Sequence, residues 1–196
     1  MADAAADPIS VTLLVAGAIE RAGGAYFVGG SLASSLQGEP RATNDVDIVL
    51  ELPLGRVGTF VEELGSDFEV DVQMLRDALA HGGTCNIFHL PTVMKIDLFA
   101  IGAEPYDEME FSRRRAVPVR GSTESLILKS PEDTVLRKLR SFEDGGRSSE
   151  RQWRDVVQVL RVSGASMDQS YLERWARTLG ISALLQRAQE EARSAF

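Results

Sequence analysis

Three aspartates and a glycine pair are the residues of this chain whose types and spacing suit chemistry. Asp45 and Asp47 lie in DVDIVLEL (45–52), which alternates polar and apolar residues as a strand does. Residues i and i+2 of a strand share one face, about 6.6–6.8 Å apart. Both carboxylates therefore point one way, while Val46 and Ile48 point into a core. Two carboxylates at that spacing can clamp one or two divalent cations. Magnesium takes one or two carboxylates and fills its shell with water and phosphate oxygens. A pair of ions about 3.5–4 Å apart stabilises both the attacking and the leaving oxygen of phosphoryl transfer. Asp97 is the candidate third acid: it sits between Ile96 and Leu98 in VMKIDLFA, where an ionised carboxylate is costly unless paired or bound to metal. A lone D-x-D also describes the solvated side of a strand, and Asp67, Glu69 and Asp71 alternate in that plainer way.

Upstream, Gly29-Gly30-Ser31 follows the short apolar strand AYFV (25–28) and opens a helix, SLASSLQ (31–37), closed by Gly38. Backbone N–H groups at a helix N-terminus attract phosphate, and glycine lets a ligand approach the backbone closely. Neither the Walker pattern with its lysine nor G-x-G-x-x-G is present. Taken alone, the segment also reads as a plain turn between strand and helix.

The remaining elements must hold these groups in place. Residues 9–22 carry Val11, Leu14, Ala18 and Ile19 at helical spacing and end at Gly23-Gly24. Residues 54–64 predict an amphipathic helix with Val57, Phe60, Val61 and Leu64 inward. Asp71 is placed to cap a helix over 72–80, and residues 84–91 and 92–100 read as a hairpin. EPYDEMEFS starts another helix, the arginine run RRRAVPVR reads as a surface turn or a steering patch for nucleic acid, and LILKS (126–130) is the last strand. Ser130-Pro131-Glu132-Asp133 is a strong helix start, and helices follow over 131–143, 149–163, 168–179 and 181–194. The expected organisation is an α+β domain over 1–128, with a mixed β-sheet and flanking helices, and a C-terminal helical region over 129–196 packed on it.

Of the 196 residues, 44% are hydrophobic and 26% charged, a globular composition. The apolar run Val11 to Ile19 is too short to span a bilayer and has no basic leader, and a single cysteine, Cys85, leaves no disulfide framework; a cytoplasmic protein is expected. Cys85 reads as a small residue packed in a strand. The net charge of −8 is uneven: residues 1–112 carry −13 and residues 113–196 carry +5. That asymmetry suits an acidic half that holds cations and a basic half that meets polyanions, or two differently decorated surfaces. His81 and His89 have no metal-ligand spacing, and Trp153 and Trp175 sit at packing positions.

The order of strand, Gly-Gly-Ser, helix, loop, D-V-D strand and later Asp-bearing strand resembles the nucleotidyltransferase superfamily of the polymerase-β type. GGSLASSLQGEPRATNDVDI is close to the pattern of its minimal and toxin–antitoxin-associated bacterial branches and also similar to the GG…DxD of tRNA nucleotidyltransferases. Residues 131–160 are more loosely similar to the helical region of uncharacterised bacterial members. The resemblance implies that Asp45 and Asp47 bind magnesium or manganese, that Asp97 is a further ligand or the general base, and that Gly29, Gly30 and Ser31 hold the tail of a nucleoside triphosphate such as ATP. NMP would pass to a hydroxyl of tRNA, protein or a small molecule, with pyrophosphate released. It also implies that Lys138 contacts the triphosphate and that Asp155 is an acid of the helical part. On the residues alone Lys138 is a solvated position and Asp155 an i,i+4 partner of Arg151. Arg41 would neutralise phosphate or pair with Asp45. Departures from the pattern count too: no serine precedes Asp45, and no Arg-Asp follows the glycine turn as in CCA-adding enzymes. A non-catalytic member that binds nucleotide or a cognate toxin or antitoxin is the alternative.

Overall fold

Asp7 opens the first helix: its carboxylate accepts the Ile9 N–H, and Pro8 takes the first helical position, where a missing N–H is no loss. The computed structural model describes residues 7–40, 43, 45–119 and 123–194. Helix α1 (Pro8–Arg21) buries Val11, Val15, Ala18 and Ile19. Leu14, expected on that stripe, lies at its edge and stays 54% exposed. Strand β1 (Ala25–Val28), helix α2 (Gly30–Gln37) and strand β2 (Val46–Glu51) follow.

The helix expected from residue 54 is a 3-10 turn, Leu54–Arg56, leading into α3 (Val57–Leu64). Strand β3 (Phe68–Val70) carries Glu69 outward, and Asp71 caps α4 (Val72–His81) by accepting the Met74 N–H at 2.9 Å. Strands β4 (Thr84–His89) and β5 (Met94–Ala100) form the expected hairpin. Helix α5 (Pro105–Ser112) leads to β6 (Arg115–Pro118) and β7 (Ser125–Leu128). Strand β6 was not legible in the sequence, because RAVP is short, ends in proline and lies under an arginine run. Arg113 closes α5, Arg114 stacks over the Phe111 ring and donates to its carbonyl, and Arg115 opens the strand.

Among the described residues the seven strands form one mixed sheet in the order β3-β4-β5-β2-β1-β7-β6. β1 runs antiparallel to β2, whereas β2 pairs parallel with β5 and β1 parallel with β7. Alternation sends Ile48, Leu50, Ile96, Leu98, Cys85 and Ile87 into one core with Val15, Ile19, Phe60 and Leu75 of the covering helices. The other face carries Asp47 and Val49, Lys95, Asp97 and Phe99, and Asn86 and Phe88. This is the mixed sheet with flanking helices, followed by C-terminal helices, that the sequence predicts.

The chain divides into two compact units, one made of the chain up to Leu32 with Thr43–Leu128, the other of residues 33–42 with the chain from Lys129 onward. The second is helical: α6 (Pro131–Asp144), α7 (Glu150–Ser163), α8 (Gln169–Thr178) and α9 (Ser182–Arg193), with α7 packed on α6 and α9. Ser130, Ser149 and Asp168 cap their helices through side-chain oxygens. The second half of α2 belongs to this unit. Gln37 donates to the Lys129 carbonyl at 2.7 Å and accepts the Thr134 hydroxyl at 2.6 Å. No helix among the described residues is long and apolar enough to cross a membrane.

Candidate active site

Strand β1 ends where Gly29 donates its N–H to the Asp47 carbonyl at 2.8 Å, so the glycine turn is tied to the acid-bearing strand. Gly30 then adopts a φ of +55°, a conformation that residues with a Cβ rarely take. A Cβ on residue 30 would collide with the Asp47 carboxylate itself. The turn and the second aspartate, which are 17 positions apart in the sequence, therefore touch. Ser31 is the second residue of α2, with its backbone N–H among those a helix leaves without an intrahelical acceptor.

The β2–β5 register sets Asp47 directly opposite Asp97 on neighbouring parallel strands, about 4.8 Å apart by strand spacing. Asp97 faces Asn86 on its other side. Its Oδ1 is buried without a hydrogen-bond partner among the described residues, and its Oδ2 accepts the Lys95 ammonium at 2.8 Å. That bond, with the charges of Asp97, Asp45 and Asp47 behind it, raises the Lys95 ammonium above its ordinary range, and mild burial works the other way. Lys95 is thus a cation at neutral pH. Asp45 lies just before β2, exposed, with its backbone held by the Thr43 hydroxyl.

Among the described residues no three acid, histidine or cysteine side chains stand close enough together to hold an ion. What the sheet provides is an in-register carboxylate pair. It fits a hard divalent cation in a specific sense: magnesium needs one or two protein carboxylates and draws the rest of its shell from water and phosphate, and Asp97 offers an oxygen that the protein leaves unsatisfied.

Lys138 and Asp155 belong to the helical unit. Lys138 Nζ donates to Asp155 Oδ2 at 2.8 Å, with the two side chains 13% and 6% exposed. Ser34 of α2 donates to the same oxygen at 3.2 Å. Lys138 is therefore largely buried in the helical unit, where a solvated helix face was the plainer expectation. Arg41 lies outside the described residues. His81 is exposed beside the Asp77 carbonyl, and His89 is buried with Thr92 and Phe68. Trp153 packs on Phe142 and donates its indole N–H to Glu191. Sequence reasoning missed Lys95, although K-I-D repeats the two-residue alternation that puts it on the face of Asp97.

A glycine turn seated on one of two in-register aspartates, in a seven-stranded mixed sheet with C-terminal helices, is a nucleotidyltransferase-like fold. The structure is similar to that of an antigenic nucleotidyltransferase-like protein from Paracoccidioides brasiliensis, with a TM-score of 0.53 and 18% identity over 92% of each chain. It is also similar to the antibiotic-resistance factor ANT(2'')-Ia in solution, with a TM-score of 0.52 and 15% identity over 93% of this chain and 96% of that one. The crystal structure of ANT(2'')-Ia in complex with adenylyl-2''-tobramycin gives a TM-score of 0.55 at 15% identity, over 87% of this chain and 97% of the other. At these identities the likeness is one of fold. No protein-family model and no curated protein matches the sequence.

Proposed function

We propose that this protein is a nucleotidyltransferase that moves NMP from a nucleoside triphosphate to an acceptor hydroxyl, using magnesium or manganese. The observation that carries the reading is the contact of Gly30 with Asp47 together with the register of Asp47 on Asp97. Gly29, Gly30 and Ser31 hold the triphosphate tail through backbone N–H groups and the serine hydroxyl. The in-register pair Asp47 and Asp97 would hold the metal, which would supply Lewis-acid polarisation of the phosphate oxygens. Asp45, exposed just before β2, would close onto it as a further ligand only when the ion and nucleotide are bound. The acceptor oxygen forms a bond to the α-phosphorus, and the bond to pyrophosphate breaks. Asp97, with one oxygen unsatisfied, is the group that takes the hydroxyl proton or joins the metal's shell. Small hydroxylated molecules head the acceptor list, because ANT(2'')-Ia is similar in fold and its crystal contains an adenylylated small molecule. Transfer RNA and protein follow.

The test is incubation with each α-labelled triphosphate, magnesium or manganese, and a cell extract, with Asp45→Asn and Asp47→Asn proteins as controls. Label that appears on one species with the native chain and not with the controls supports transfer and names the acceptor class. Labelled tRNA or protein would bring forward the toxin-type role. A second reading has its own support in the Lys95–Asp97 pair, which commits one oxygen of Asp97 to a cation of the chain itself. It is a non-catalytic protein that binds nucleotide or a partner. Triphosphate binding without any labelled product would favour it.

A further inference from the structure

We infer that Lys95 is a built-in counter-ion of the acid pair, so that a divalent cation binds here together with the nucleotide and not before it. This rests on the metal-dependent reading above. Asp47 and Asp97 face each other across neighbouring strands, an arrangement that is repulsive for like charges unless a cation stands by. Lys95 is the sole lysine of residues 1–112, in a half of the chain that carries −13. It lies two residues before Asp97 on the same strand face and fixes Oδ2 at 2.8 Å, leaving Oδ1 as the oxygen without a partner. The protein thereby supplies its own positive charge at the site. An incoming cation meets one committed oxygen and one like charge within a few ångströms. A triphosphate offsets that repulsion with its own negative charges, which makes metal binding conditional on nucleotide.

The experiment is calorimetric and spin-resonance titration of the full chain with Mn2+, with and without ATP, for the native protein, Lys95→Met, Lys95→Gln and Lys95→Arg. Lys95→Gln keeps a donor for Asp97 while removing the charge, and the 41% exposure of the Lys95 side chain makes all three replacements compatible with folding. Without ATP, the two neutral variants should bind Mn2+ at least about tenfold more tightly than the native chain, because a charge beside the ion is gone. Lys95→Arg should match the native affinity. With ATP present the difference should shrink. Equal or weaker Mn2+ binding by both neutral variants, alongside nucleotide-supported binding by the native chain, overturns the role of Lys95 alone. Absence of Mn2+ binding in every protein under both conditions overturns the metal-dependent reading and this inference with it.

Discussion

Gly30 lies so close against the Asp47 carboxylate that no side chain can stand between them. Its φ of +55° adds a second reason for glycine. Gly30→Ala should destabilise the fold by about 1–3 kcal/mol, since it combines a strained backbone with a collision. The same change should displace Asp47 and weaken triphosphate binding. Thermal unfolding and a nucleotide-binding titration on the one variant measure both effects. Unchanged stability would mean that the turn relaxes freely and is not tied to Asp47.

On the proposed reading, Asp47 and Asp97, set opposite each other by the strand register, act as one pair. Asp47→Asn and Asp97→Asn should each lower nucleotide transfer by at least about a hundredfold, the upper end of what losing an outer-shell partner of a metal ligand produces. Asp97→Asn should move the unfolding midpoint little, because the relief of like-charge repulsion is offset by the loss of the ion pair with the half-exposed Lys95. A variant that keeps full transfer would remove that aspartate from the chemistry.

Lys138 and Asp155 form a buried pair inside the helical unit, with Ser34 on the same carboxylate oxygen. Removing one partner strands the other charge away from water. Asp155→Ala and Lys138→Ala should each destabilise the chain by about 3–5 kcal/mol in denaturant titrations. The double change Lys138→Met with Asp155→Leu should recover most of that loss. Losses that simply add would show that the two side chains do not interact.

Cys85 is fully buried in β4, where burial and then the Asp71 charge push its thiol upward. A group whose folded pKa is raised contributes stability that is complete below its unfolded value, in the ordinary thiol range, and lost as pH rises through the folded value. Stability should therefore decline on the alkaline side through this group, and Cys85→Ala should flatten that limb. At neutral pH the thiol should react with an aromatic disulfide reagent only as fast as the chain opens. Rapid modification of native protein would contradict the burial.

The amino-acid sequence by itself determined the local elements and the chemistry-bearing residues. Proline and serine at 130–131 begin a helix because they suit unsatisfied N–H groups wherever they occur. The alternation of DVDIVLEL and VMKIDLFA divides each strand into a buried and a polar face because the pleat has a period of two. An aspartate inside an apolar strand stands out for the same reason. Only the tertiary structure decided which polar faces meet. That Asp47 lies opposite Asp97 depends on β2 and β5 pairing in parallel across almost fifty residues, and no periodicity encodes a register between distant strands. That Asp155 meets Lys138 depends on how α6 packs on α7. The strand β6 exists because β7 offers it an edge, with Arg115 paired to Leu128, whereas its own four residues carry little strand character. The glycine pair marked a turn; only the fold seats Gly30 against a carboxylate 17 residues further on.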